Sequence, residues 1–195
     1  FTNLVVKNMG TSGDFIDIRK GTANVISVKN STFANGIRTF ARVDAKVVCG
    51  AMTVENNTFY NLCAVDSKDN NGILHVRSTT LSASNYIVKN NIFASMHREV
   101  AEPSQANGYP KLISTNAASQ IPTFIGNVYY DVEDVDPYSW WTKGSHEVEV
   151  ADFHETAVAN GGAVLTESPF TNENPGESGK FNVKVEYNGV GDPRW

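Results

Sequence analysis

The chain has 195 residues, 41% hydrophobic and 19% charged, with a formal net charge of −5, the proportions of one folded domain with a substantial core and not of a disordered polyelectrolyte. No apolar run reaches the roughly 18 residues that a membrane-spanning helix needs, and no basic segment followed by an apolar stretch reads as a leader. Residues 1–130 hold 12 Lys+Arg against 8 Asp+Glu and residues 131–195 hold 4 against 13, so a front too diffusely basic for nucleic acid is joined to an acidic back.

Taken in order, the elements repeat. The chain opens at Phe1 inside what already reads as a strand, as expected of an excised fragment or a processed product. "VVKNMG" runs from Val5 to Gly10, "SVKNSTFANG" from Ser27 to Gly36, "TVENNTFYNL" from Thr53 to Leu62 and "IVKNNIFASM" from Ile87 to Met96, with a degenerate "FIGNVYYDV" from Phe124 to Val132. These copies alternate at spacing two and are rich in Val, Ile, Thr and Phe, which predicts strands, and their irregular spacing suits stacked β units whose turns absorb insertions. Asparagine tolerates the left-handed backbone region. Asn8, Asn30, Asn56 and Asn90 are therefore expected to turn the chain in one column, each amide bonding the next, with Phe33, Phe59, Phe93 and Tyr129 stacked inside.

A second strand is predicted after each early copy: "FIDIRK" from Phe15, "GIRTFARVD" from Gly36 and "GILHVRS" from Gly72. With Ile18, Ala41 and Val76 facing inward, Ile16, Thr39 and Leu74 do so too, and Arg19, Arg42 and Arg77 form an outward column. Asp17, Phe40 and His75 lie one step back, and Arg38 beyond them beside Phe15 and Ile73. A one-residue slip of the middle strand would move Arg38 and Arg42 off that face.

These features predict an all-β fold: a right-handed parallel β-helix of about five coils, with coils over 1–130 and, in the same domain, a last coil, a Trp-rich acidic segment and a C-terminal cap over 131–195. The Asn-Asn-x-Phe copies resemble right-handed β-helix proteins of the pectate-lyase-like group. "LTESPF" (Leu165 to Phe170), "GKFNVK" (Gly179 to Lys184) and the terminal "GVGDPRW" (Gly189 to Trp195) are similar to the closing segment of uncharacterised exported β-helix proteins from polysaccharide-degrading Bacteroidetes. The resemblance implies an extracellular or outer-cell-surface protein that acts on polysaccharide. It supplies no lyase signature that matches residue by residue.

Arginine forks suit the carboxylates of acidic sugars. Arg19, Arg38, Arg42, Arg77 and His75 are therefore the expected glycan-binding residues, in a non-catalytic module. A polysaccharide lyase or hydrolase would use Arg77 or His75 with Asp17, and a structural stalk or adhesin would use none of them. Ordinary surface ion pairing of Arg19 and Arg77 with Asp17 or Asp44 is the plainer alternative. Tyr138, Trp140 and Trp141 are candidates for stacking on a sugar or for packing. The acidic run Asp131, Glu133, Asp134, Asp136 offers oxygens to Ca²⁺ but lacks the glycine and distal glutamate of an EF-hand loop. His97, His146 and His154 share no zinc-ligand spacing with each other or with a cysteine. No cofactor is expected beyond calcium at the acidic run. Cys49 and Cys63 are read either as buried thiols or as a bridge in an exported protein.

Overall fold

A computed structural model describes residues 1–8, 14–36, 39–62, 73–95, 112–115, 117–131, 141–142, 155, 157–172, 175–178 and 180–195. After β1 (Val5–Lys7) the chain makes β2 (Ile16–Ile18), β3 (Gly21–Lys29) and β4 (Thr32–Gly36). It continues as β5 (Ala41–Val43), β6 (Val47–Glu55) and β7 (Thr58–Leu62), then as β8 (Leu74–Val76), β9 (Tyr86–Lys89) and β10 (Ile92–Ala94). The next strands are β11 (Ile113–Thr115), β12 (Thr123–Ile125) and β13 (Val128–Tyr130), followed by β14 (Trp141–Thr142) and β15 (Ala163–Leu165). The fold is all-β, and every pairing among these strands is parallel. From β2 to β13 the chain visits three sheets in strict rotation: β2-β5-β8-β11-β14, then β3-β6-β9-β12, then β1-β4-β7-β10-β13-β15.

Each pass through the three sheets delivers apolar side chains to one inner cluster. Ile16, Ala41 and Leu74 enter it from the first sheet, Val28, Val54 and Val88 from the second, and Phe33, Phe59 and Phe93 from the third. The expected aromatic column is present. Phe33 lies 5.5 Å from Phe59, Phe59 5.0 Å from Phe93 and Phe93 5.5 Å from Tyr129, all within 15° of parallel. Stacked rings of this kind add to what their burial already contributes.

The asparagines sort differently from the expected single column. Two left-handed residues bracket each of the first five strands of the six-stranded sheet, β1, β4, β7, β10 and β13: Asn3 and Asn8, Asn30 and Asn35, Asn56 and Asn61, Asn90 and Ser95, Gly126 and Asp131, all with φ between 49° and 60°. Val5 pairs with Thr32, so Asn8 stands opposite Asn35, and Asn3 takes the place opposite Asn30. The likeness of "VVKN" to "SVKN" crosses two different sheets. The signal for the correct alignment is the asparagine pair five residues apart in "NLVVKN", "NSTFAN" and "NNTFYN".

Amide-to-amide bonds at the turns run through the second member of each pair, Asn61 donating to Asn35 Oδ1 at 3.1 Å and Asn35 to Asn8 Oδ1 at 3.3 Å, whereas the expected bonds among Asn30, Asn56 and Asn90 are not made. The buried ladder is built one residue later. Asn57 donates its amide to Asn91 Oδ1 at 3.0 Å, and Asn91 donates to Asn127 Oδ1 at 3.0 Å. Asn57 Oδ1 accepts the Ser31 backbone N–H at 3.1 Å. The physical reason is division of labour. The left-handed residue must aim its Cβ away from the strand, which leaves the next side chain pointing in to satisfy backbone groups at the corner.

On the outer face of the four-stranded sheet, Glu55 accepts from Lys29 at 2.7 Å and lies 3.3 Å from Lys89. The hydrogen bond from Lys29, supplemented by Lys89 and only partly offset by burial, holds its carboxyl below the usual range. A depressed carboxylate contributes stability above its unfolded value and loses it as pH falls through the folded one. Glu55→Gln is therefore expected to cost less than about 1 kcal/mol at neutral pH, and nothing once the medium is well below the unfolded Glu value of about 4.3. Thermal melting of variant and wild type should converge on acidification.

The tail does not sit on the last strands as an end cap would. Phe170, Phe181, Tyr187, Val190 and Trp195 cover the outer face of the six-stranded sheet, packing with Ala34, Ile92, Ala94 and Val128 in a second cluster. Asp192 and Trp195 reach Thr32, and Arg194 reaches the backbone oxygens of Asn3 and Leu4. Alternation explains the second cluster. Side chains one step from the Phe column face outward, and Ile92, Ala94 and Val128 are apolar there, so the sheet needs cover on both sides.

Candidate functional site

The first sheet carries the predicted basic residues, but in two columns instead of one. Ile18 pairs with Val43 and Val43 with Val76, so the position after them holds Arg19, Asp44 and Arg77. Backbone bonds continue the ladder there, Asp44 N–H to Ile18 O at 3.0 Å and Arg77 N–H to Val43 O at 2.8 Å. Arg42 stands instead between Asp17 and His75. The expected column of Arg19, Arg42 and Arg77 is thus wrong by two residues on the middle strand, which leaves Arg42 on the outward face and changes its neighbours.

Phe40 gives the physical reason for the shift. The expected register turned its ring to solvent beside Asp17 and His75. It is instead fully buried, 5.6 Å from Phe15 and stacked at 9°, and 4.6 Å from Phe33. Burying a Phe side chain is worth about 1.5–3 kcal/mol, more than exposed charges can contribute by keeping any particular order. Arg38 lies outside the described residues.

Around these columns the charges form a small checkerboard. Arg19 donates to both oxygens of Asp17, from Nη2 at 2.7 Å and from Nε. Arg42 donates from Nε to Asp44 Oδ1 at 3.2 Å. In the third row the position across from Arg77 is occupied by His75, with no carboxylate. Arg77 is half-buried, and its Nε is shut from solvent with no hydrogen-bond partner among the described residues. Burial lowers its pKa, with Asp44 opposing and Arg42 adding to the shift; the guanidinium stays charged and has no ion pair of its own among the described residues.

Arg19, Lys20, Arg42, Asp44, Ala45, Lys46 and Arg77 line an open hollow of about 380 Å³ at the corner between the first and second sheets. Lys20 and Lys46 are site residues that the strand pattern did not single out. Their signal is a cation directly after the strand, in "IRK" and "VDAK", where the chain turns toward the next sheet. Five cations and the carboxylates of Asp17 and Asp44 meet here, which makes the corner electropositive in an otherwise acidic chain. Such a concave surface with a net positive charge concentrates an anion.

The other predicted residues are dispersed. His75 is fully buried in the Asp17 and Arg42 column, unlike an acid–base group presented to a sugar. Asp17 is held by Arg19, which together with a weaker pull from Arg42 keeps its carboxyl below the usual range. Trp141 takes a register position at the far end of the same column, following Ser114. Tyr138, Trp140, Glu133, Asp134, Asp136, His97, His146, His154 and Cys63 fall outside the described residues, while Cys49 is a buried free thiol. Among the described residues no three His, Cys, Asp or Glu side chains are grouped as metal ligands, and no helix is long and apolar enough to cross a membrane. A larger hollow of about 520 Å³, among Phe1, Phe15, Ile16, Ile18 and Val25, is mainly apolar. Comparison with protein-family models, with curated proteins and with solved structures finds no match.

Proposed function

We propose that the chain is a right-handed parallel β-helix of an exported or cell-surface protein that binds acidic, uronate-containing polysaccharide without cleaving it. Strict rotation through three parallel sheets around one inner cluster supports the helical winding, since stacked passes that each contact only their neighbours are what a solenoid requires. The binding reading rests above all on Arg77: a charged, half-buried guanidinium whose Nε has no partner among the described residues, at the edge of an electropositive hollow. A carboxylate in that hollow would pair with the charge of the guanidinium that lines it, not with the enclosed Nε, and a charge-assisted bond of this kind contributes about 1.5–3 kcal/mol.

Binding is favoured over catalysis because the acid–base candidates are engaged or enclosed. His75 is buried and Asp17 is tied to Arg19, so the set of Arg77, His75 and Asp17 does not converge on one exposed point. Affinity electrophoresis against acidic polysaccharides, run beside an assay for unsaturated uronate product, separates the readings. Retardation without product is expected; product establishes a lyase, and neither leaves a structural stalk. Arg77→Ala should weaken binding about tenfold or more with little change in melting. The wild-type affinity should fall with salt, because exposed charges are screened over roughly 8–10 Å.

A further inference from the structure

We infer that the hollow at Arg77 reads a single acidic group flanked by neutral, hydroxyl-bearing sugar, and so selects glycans whose acids are isolated over homopolymers of uronate. This rests on the acidic-glycan reading above and specifies its ligand. The observation that carries it is the order of charges along the two columns. One runs Asp17, Arg42, His75 and the other Arg19, Asp44, Arg77. Neighbouring strands stand about 4.8 Å apart, close to the advance of one pyranose along an extended glycan. A homopolymer lying across the strands with one carboxylate on Arg77 would set the next against Asp44.

Pairing within the rows sharpens the point. Arg19 is spent on Asp17 and Arg42 on Asp44, whereas the row of Arg77 has His75 where the first two have a carboxylate. Among the described residues one acid-binding position is thus open, with Lys46 lining the same hollow to reinforce it. Asp44 gives one oxygen to Arg42 at 3.2 Å and remains partly exposed, its side chain at 22%. Its other oxygen is an acceptor for a hydroxyl or amide N–H. An ionised carboxylate only accepts, so the sugar beside the acid must be a donor. The chemistry selected is an acid next to a neutral residue, either alternating within a chain or once at its end.

The test uses the intact chain and two hexasaccharides, one alternating glucuronate with N-acetylglucosamine and one of galacturonate alone, with binding read by calorimetry at fixed salt. The alternating ligand is expected to bind roughly tenfold tighter, the scale of one like-charge juxtaposition at partly screened range. Asp44→Asn, which keeps the shape and removes the charge, should raise galacturonate affinity and abolish the preference; melting checks that the variant is folded. Equal or tighter binding of the galacturonate oligomer overturns the inference while leaving the acidic-glycan reading intact, provided that Arg77→Ala still weakens it. Binding of neither ligand overturns both. A preference unchanged in a folded Asp44→Asn protein would also overturn the inference, because the discrimination would then arise elsewhere.

Discussion

Asp192→Ala is expected to destabilise the protein by about 2–4 kcal/mol, because it removes a buried carboxylate that accepts several charge-assisted hydrogen bonds. Asp192 is only 1% exposed. Its carboxylate accepts from the Thr32 hydroxyl at 2.7 Å, from the Arg194 backbone N–H at 3.1 Å and from Arg194 Nε at 2.8 Å. Its backbone N–H donates to the Thr58 hydroxyl at 3.0 Å. Truncation removes the counter-ion that orients the partly exposed guanidinium of Arg194, which donates to Asn3 O at 3.0 Å and to Leu4 O and so ties the tail to the first strand. Trp195 loses its setting as well, since its indole N–H donates to the same Thr32 hydroxyl at 2.7 Å.

The consequence should reach beyond the tail. With the terminal segment detached, Ile92 and Val128 on the outer face of the six-stranded sheet lose their cover, and exposed apolar patches of this kind promote association. Thermal melting is the readout, with a midpoint drop of about 10 °C for a chain of this length. Thr32→Val, which removes one bond and no charge, should cost on the order of 1 kcal/mol. An Asp192→Ala protein with unchanged melting and unchanged protection of Asn3 and Leu4 from proteolysis would mean that the clamp does not hold in solution.

What the sequence disclosed follows from the range over which each interaction acts. The Phe33, Phe59, Phe93 and Tyr129 column was legible because ring and turn residue lie three apart, an asparagine before each Phe and Gly126 before Tyr129, so one local pattern fixes both. The outward arginines were only half legible. Alternation assigns a side chain to a face, but the residue opposite it depends on how many residues the preceding corner consumes, and there the burial of Phe40 decided the register. The terminal motif was visible as a motif, yet nothing local indicates that Asp192 meets Thr32, which is 160 residues away. Asn57 and Asn91 were not singled out from the turn residues Asn56 and Asn90 because two adjacent asparagines look equivalent in sequence. Geometry separates them: one is selected for its backbone, the other for its amide.

That separation yields the second large effect, a contrast between adjacent asparagines. Asn91→Ala is expected to cost roughly 3–5 kcal/mol, because each buried polar group left without a partner costs about 1–3 kcal/mol. Asn91 Oδ1 is the acceptor for the Asn57 backbone N–H at 2.9 Å and for the Asn57 amide at 3.0 Å, and its own amide donates to Val54 O at 3.0 Å. Asn57 and Asn91 are both wholly buried, so water cannot replace what is lost. Asn56→Gly should behave in the opposite way. Asn56 holds φ at 54° and its Oδ1 is buried with no hydrogen-bond partner among the described residues, so its contribution is conformational, and glycine reaches that region freely. The equivalent corner before Asn127 is already occupied by Gly126 at φ 60°, and the substitution is expected to change stability by no more than about 1 kcal/mol. Asn56→Ala, which puts a Cβ in the left-handed region with nothing to offset it, should fall between the two, at roughly 1–2 kcal/mol. Urea denaturation of the three variants fixes the order. If Asn56→Gly proved as costly as Asn91→Ala, the turn residue would carry part of the ladder after all, and the division between backbone and amide would have to be abandoned.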